Sequence, residues 1–479
     1  MPDCAVELRK NKVTGLLKNA GILALGNFSS KALIFLLVPL YTAVLTTEEY
    51  GIYDVVYNTA VLLIPLLTFN IAEAMMRFPL DEGADSSRIA RIGLGITIAS
   101  GILVCLVQII PDMPWSAQRG VEYFGLLYLA NALYTDLSYL ARGLNRMADV
   151  AWAGVISAAS MLILNILFLV VFNLGLDGYF LANSFAFILP FLWLLFRMRK
   201  VVFGKSLNSD PLLGKMIRYA YPLAASTVGW WLVNVSDRYI VLAICGADAN
   251  GLYSAATKLP SVLSTVAVIF IQAWQVSVVK SFDKRDASGF YRKAFDVMES
   301  YIVLLCSVLI ALSPFIASFM LSGDFYLGWQ YTPFLFVYAL FNTMGGIFGP
   351  FFSAKFDTKP LIVSTLLGGV VNVVAGIPLV WLLGIQGAAL SSLLSGVVGW
   401  AYRGYRVRRH VEVDFHFRQS FVVYSVLIVQ AMVMVAGLPM EVWLPLQIVM
   451  FFGFVLVFRK NLAGSIRFFS KILKRKRYR

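Results

Sequence analysis

The stretch PLAASTVGWWLVNVSDRYIVLAICGADANGLYSAATKLPSVLSTVAVIFIQAWQ (Pro222–Gln275) holds two long apolar segments back to back, with Asp237, Arg238 and Lys258 inside what reads as hydrocarbon. A Lys or Arg near the middle of a membrane helix costs roughly 2.5–3.5 kcal/mol on insertion scales. Intramembrane cations kept so close together read as functional, and the pair is expected to form part of an anion-binding cavity.

The rest of the chain supports the membrane reading. Of its 479 residues 59% are hydrophobic and 14% charged, with a mean hydropathy of +0.77, too apolar to be covered by polar surface in water. The apolar runs are continuous for about twenty residues rather than alternating over about ten, which selects helices over a barrel. The net charge of +14 raises nucleic acid as a partner, but the basic tail Lys474, Arg475, Lys476, Arg477 and Arg479 follows the apolar run Val442–Phe458. Basic residues at that place meet anionic lipid and hold a helix end on the cytoplasmic side, so no nucleic acid is expected. Cys4, Cys105, Cys245 and Cys306 are scattered and His410 and His416 sit in a basic loop, so neither a disulfide framework nor a metal site is expected.

Fourteen helices are read from the apolar runs, centred near residues 31, 63, 100, 130, 161, 188, 230, 265, 307, 341, 372, 395, 428 and 450. An even number places both termini on one side, and alternate loops should then carry the basic residues. They do: 36 of the 40 Lys and Arg fall in the termini and inner loops, and one, Arg119, falls in an outer loop. The three left over are Lys31, Arg238 and Lys258. The expected placement is the bacterial cytoplasmic membrane, multi-pass, with both termini cytoplasmic.

Two internal echoes point to duplication. EYGIYDV (Glu49–Val55) resembles ANGLYSA (Ala249–Ala255), and LGLDGYFLANS (Leu174–Ser184) resembles LGIQGAALSSL (Leu383–Leu393), both at offsets of about two hundred residues. An offset of six helices preserves orientation, so the repeats are parallel. The expected organisation is an N-terminal bundle over residues 1–205, a second over 206–412, and helices 13 and 14 with the basic tail over 413–479. No loop is long enough to hide a soluble catalytic domain.

With helix 7 rising and helix 8 descending, Arg238 and Lys258 fall roughly 10 Å below the outer surface on adjacent antiparallel helices. Lys31 lies near the middle of helix 1, the corresponding helix of the other half. Arg grips phosphate oxygens as a planar fork and Lys adds a mobile point charge, a combination suited to pyrophosphate. The competing reading is an Arg neutralised by acids and a Lys that snorkels outward. Trp231 and Asn234, with Trp230, approach the same arc of helix 7. Tyr53, Tyr57, Tyr134 and Tyr139 offer rings for sugars or plain packing. Asp54, Asp136 and Asp237 are the candidate counterions or ion-coupling groups. Glu73 and Arg77, spaced i, i+4, form either a local salt bridge or a gate. Pro39, Pro65, Pro222 and Pro260 interrupt helices 1, 2, 7 and 8, where bending is useful.

FLLVPLYTAVLTTEEYGIYDVVYNTAVLLIPLLTFNIAEAMMRF (Phe35–Phe78), PLAASTVGWWLVNVSDRYIVLAICGADANGLYSAATKLPSVLS (Pro222–Ser264) and the QAW of Gln272–Trp274 resemble bacterial polysaccharide exporters, the flippases of O-antigen and capsule lipid-linked oligosaccharides. These belong to the superfamily that includes multidrug extruders and the peptidoglycan-precursor flippase. The resemblance implies a V-shaped pair of six-helix bundles that carries undecaprenyl-pyrophosphate-linked oligosaccharide to the outer leaflet by alternating access, without ATP or another cofactor. A proton or sodium gradient or the membrane potential would drive it, and membrane lipids and glycan-assembly proteins would be its neighbours. Two competitors stand: a multidrug extruder, which favours carboxylates where helix 1 here carries Lys31, and a membrane enzyme acting on lipid-linked glycans, which would need an outer loop or domain that this chain lacks.

Overall fold

The computed structural model describes residues 35–110, 119–204, 212–280, 282–286 and 289–477. Lys31 and the first expected helix centre lie outside them. Every described element is helical, and the other thirteen expected centres, from residue 63 to residue 450, each fall inside a helix. Nine of the described helices are long and apolar enough to cross a membrane, or ten if one bent pair counts as a single span. The protein is a multi-pass all-α membrane protein.

The described residues separate into two compact units, Met1–Trp231 and Leu232–Arg479. The division falls inside a helix, and the last two helices belong to the second unit.

The first unit comprises α1 (Phe35–Val44), α2 (Thr47–Leu67), α3 (Ile71–Arg77), α4 (Ser86–Gln108), α5 (Phe124–Gly143), α6 (Met147–Asn165), α7 (Gly175–Arg197), α8 (Arg199–Val202) and most of α9 (Leu212–Asn234). Thr46 starts α2 with a capping box: its hydroxyl accepts from Glu49 N at 3.2 Å while the Glu49 carboxylate accepts from Thr46 N at 3.1 Å. Phe69 and Asn70, both at φ 55°, turn the chain out of α2 into α3. Ile71, Met75, Ile89, Leu137, Leu140, Met198 and Met216 form the core where α3, α4, α5, α7 and α9 meet.

The second unit continues through α10 (Ser236–Cys245), α11 (Ala247–Ala256), α12 (Ser261–Lys280), α13 (Phe290–Ala311), α14 (Ser313–Met320), α15 (Thr332–Gly346), α16 (Gly349–Ala354), α17 (Lys359–Leu383), α18 (Ile385–Val407), α19 (Phe417–Val435) and α20 (Met440–Arg477). Its core is aromatic at one end, where Trp274, Tyr291, Phe295, Phe348, Phe351 and Phe415 pack ring against ring. Edge-on contacts of this kind add to plain burial. The terminal pair is fastened by polar side chains: Tyr424 of α19 donates to Glu299 of α13 at 2.8 Å, and Gln430 of α19 donates to Gln447 of α20 at 2.6 Å. Such bonds hold helices together where hydrocarbon outside is as apolar as the interface itself.

Contacts between loops sort the charges by end. In the first unit Arg197 and Arg146 both pair with Asp149, at 2.9 and 2.7 Å. In the second, Lys284 meets Glu412 at 2.9 Å, the Lys355 ammonium lies 4.6 Å from the Phe282 ring centre, and Arg292 meets His416. Arg119 lies 4.0 Å from Glu49 at the start of α2, and Gly175 stands close to the same carboxylate. The Lys- and Arg-rich loops of each unit thus gather among themselves.

Candidate functional site

Two helix breaks build the site, both in the second unit. The run Val233-Asn234-Val235-Ser236 is a sequence of poor helix formers, and the chain bends by 48° there as α9 gives way to α10, with Val235 at φ −135°. A break in a membrane helix leaves carbonyls that must find donors within the protein. Each finds one: Leu232 O accepts from Ser236 Oγ at 2.5 Å, Val233 O from Asn372 Nδ2 at 3.4 Å, Asn234 O from the Arg238 guanidinium at 2.8 Å, and Val235 O from Arg238 N at 3.0 Å. Gly369 of α17 lets this bend approach closely, since a Cβ there would stand 3.2 Å from Leu232 Cβ.

The second break separates α11 from α12. Pro260 has no N–H to donate and disfavours helix in the residue before it. The chain crosses it on short i→i−3 bonds, Lys258 N to Ala255 O at 3.1 Å and Ser261 N to Lys258 O at 3.2 Å. Thr257 and Lys258 therefore sit at a turn in mid-segment, both half-buried.

The breaks meet. Arg238 Nη2 donates to Thr257 Oγ1 at 3.1 Å, while Thr257 Oγ1 donates to Ser254 O at 2.7 Å. Arg238 thus reaches the residue next to Lys258. Asp237 faces elsewhere: its carboxylate accepts from Tyr253 OH at 2.6 Å, Ser392 Oγ at 3.0 Å and Arg238 N at 2.9 Å. It is 5% exposed and fastens α10 to α11 and α18 through hydroxyls. Neighbours on a helix diverge by about 100°, which is why Asp237 and Arg238 serve different surroundings.

The other expected site residues are placed as follows. Asn234 contributes its carbonyl to Arg238, and Trp231 donates its indole N–H to Asn58 O on α2 at 3.1 Å. Asp136 is buried and accepts from Thr97 Oγ1 on α4. Asp54 is buried on α2, whose Tyr53 packs against Tyr179 with ring centres 3.9 Å apart, so Tyr53 is a packing residue. Arg77 pairs with Asp81 at 2.6 Å rather than with Glu73, because the chain leaves α3 just beyond Arg77 and folds Asp81 back beneath it. Glu73 lies instead within electrostatic reach of Arg142, whose guanidinium stands over the Tyr139 ring at 5.1 Å.

Sequence reasoning missed Arg403. It counts as a loop residue by its nearness to the end of α18, yet it turns inward, donating to Ser364 Oγ at 2.7 Å and to Thr365 Oγ1 at 3.4 Å. Asn372 was missed too, although a lone Asn in GGVVNVVAG (Gly368–Gly376) is the kind of intramembrane polar residue that signals a partner. Among the described residues no cluster of His, Cys, Asp or Glu could hold a metal ion.

The broken apolar helices of these two compact units make a fold that solved membrane transporters share. The structure is similar to "Lipid II flippase MurJ, inward closed conformation", at a TM-score of 0.67 and 15% identity over 92% of this chain and 98% of that one. It is also similar to an inward-facing multidrug resistance MATE family transporter of the MOP superfamily, at 0.60 and 13% over 80% and 94%. A MOP superfamily transporter from Pyrococcus furiosus, described as having a binding pocket of reverse polarity, matches at 0.51 and 12% over 82% and 96%. No curated protein matches the chain. Residues 16–275 match the family model for polysaccharide biosynthesis protein. The chain belongs to that family.

Proposed function

We propose that this protein is a flippase that moves undecaprenyl-pyrophosphate-linked oligosaccharide from the inner to the outer leaflet of the bacterial cytoplasmic membrane, with both termini cytoplasmic. The observation that carries the reading is the meeting of two helix breaks at Arg238, with Lys258 beside its partner Thr257. A guanidinium is a planar fork suited to pyrophosphate oxygens, in surroundings where weak screening strengthens the attraction. Membership of the polysaccharide biosynthesis family supports the substrate class, and O-antigen and capsule repeat units are the form proposed. Lys31, the third basic residue that the loops do not account for, is proposed to contact the same anionic substrate.

Transport proceeds by alternating access without ATP, driven by a proton or sodium gradient or by the membrane potential. Asp54, Asp136 and Asp237 are the proposed coupling groups. Glycan-assembly enzymes supply the substrate and consume the product, and this chain performs no covalent step. The test is flipping of labelled lipid-linked oligosaccharide in vesicles. Arg238→Ala with Lys258→Ala should reduce it more than tenfold, and unaltered transport would remove the mechanism. The same vesicles under imposed proton, sodium or voltage gradients identify the drive.

A further inference from the structure

We infer that the second unit carries a separate site for an anionic phospholipid, at the start of α19 and beside the middle of α20, next to its basic loops. A groove of 660 Å³ is lined by Arg408, Arg418 and His416 together with Val422, Val423 and Val457. The change of chemistry is abrupt: Arg418 and Val422 are four residues apart on α19, about 6 Å along the axis. That step from guanidinium to hydrocarbon is the one a phospholipid makes from phosphate to acyl chain.

The cations are available. Among the described residues neither Arg408 nor Arg418 makes an ion pair, and Arg408 lies over the Phe417 ring, 4.7 Å from its centre, which fixes its direction. The one carboxylate in the lining, Asp414, accepts from His416 N at 3.0 Å and stands 3.8 Å from His416 Nε2. Two guanidiniums against one such acid select an anionic headgroup, because Arg binds phosphate oxygens in pairs and each basic residue near a leaflet adds to the attraction.

The apolar side selects a lipid over a soluble acidic partner. Val422 is 56% exposed and Val457 50% exposed, and both lie in helices long and apolar enough to span a bilayer. Acyl chains cover such side chains. On the proposed topology the lipid belongs to the cytoplasmic leaflet, but the site itself is independent of what the protein transports.

The experiment titrates the full-length chain in detergent with phosphatidylglycerol or phosphatidylcholine and reads bound lipid by native mass spectrometry. One phosphatidylglycerol should be held about tenfold more tightly than phosphatidylcholine, and Arg408→Gln with Arg418→Gln should abolish the difference. Val457→Trp, which fills the apolar side, should weaken binding of both lipids. Equal retention of the two lipids, or phosphatidylglycerol held as well by the double variant as by the wild type, overturns the inference. So does its stoichiometric displacement by undecaprenyl pyrophosphate, which would give the groove to the transported substrate.

Discussion

Arg238 and Thr257 are joined side chain to side chain at 3.1 Å, and each stands at a place where its membrane segment stops being a regular helix. The bond therefore links two breaks, and the charge it positions is in the part of the chain least constrained by an unbroken backbone ladder. Arg238→Lys keeps the charge but loses the fork and the bond to Thr257. Flipping by Arg238→Lys should fall about tenfold and by Arg238→Ala further still, the loss expected for charge-assisted hydrogen bonds of about 1.5–3 kcal/mol. Thermal stability in detergent should hardly change in the Lys variant. A parallel fall in Tm and transport would make Arg238 a strut.

Asn372 occupies the other side of the same break. Its amide donates to Val233 O and to Ser236 Oγ, both at 3.4 Å, while its Oδ1 accepts from Ser391 Oγ at 2.9 Å. Asn372→Leu leaves a freed carbonyl and two hydroxyls without that partner in a dry interior. The expected cost is about 1–3 kcal/mol, read as a Tm lowered by several degrees. Asn372→Asp restores the acceptor but not the donor and should fare no better.

How much of this was legible in the sequence depends on what each feature is made of. Helices such as α4 and α17 are apolar runs, and a run is a property of consecutive residues. The sorting of Lys and Arg between ends is likewise one-dimensional. The partner of Asp237 is not, because Ser392 lies 155 residues away and only the packing of α10 against α18 brings it near. Arg403 misleads for a related reason: four residues from the end of α18 it looks like a loop charge, and its direction is set by Ser364 and Thr365 on a different helix. Lys31 stands outside the described residues, so its place in the proposal rests on the sequence.

Tyr424 donates to Glu299 at 2.8 Å, and Glu299 is 3% exposed. The pair anchors α19 to α13. Tyr424→Phe takes the donor from a buried carboxyl and should cost about 1–3 kcal/mol. Glu299→Gln, which still accepts, should cost less. Denaturation in detergent followed for both variants checks the order.

Outside the membrane, Lys284 hydrogen-bonds Glu412 at 2.9 Å and its ammonium holds the Glu412 carboxyl below the ordinary glutamate range. A carboxyl with a lowered folded pKa contributes stability above its unfolded value and loses it as pH falls through the folded one. Glu412→Gln should therefore lower Tm slightly at neutral pH, and the difference from wild type should vanish in acid. A difference that grows as pH falls would contradict the assignment.

Gly387 decides whether α17 and α18 can form their hairpin at all. Gly384, at φ 59°, turns the chain, and Gly387 then passes so close to α17 that a Cβ would stand 2.1 Å from Leu379 O. That oxygen is backbone and cannot rotate aside as a side-chain end could. Gly387→Ala must push the first turn of α18 away from α17, and α18 carries Ser391 and Ser392, which hold Asn372 and Asp237. The substitution should displace both sides of the α9/α10 break at once. The expected outcome is loss of folded protein from the membrane fraction, whereas Gly399→Ala on the same helix, where the nearest atom is 3.9 Å away, should accumulate normally. Equal yields for the two variants would show that the hairpin has more room than its backbone contacts describe.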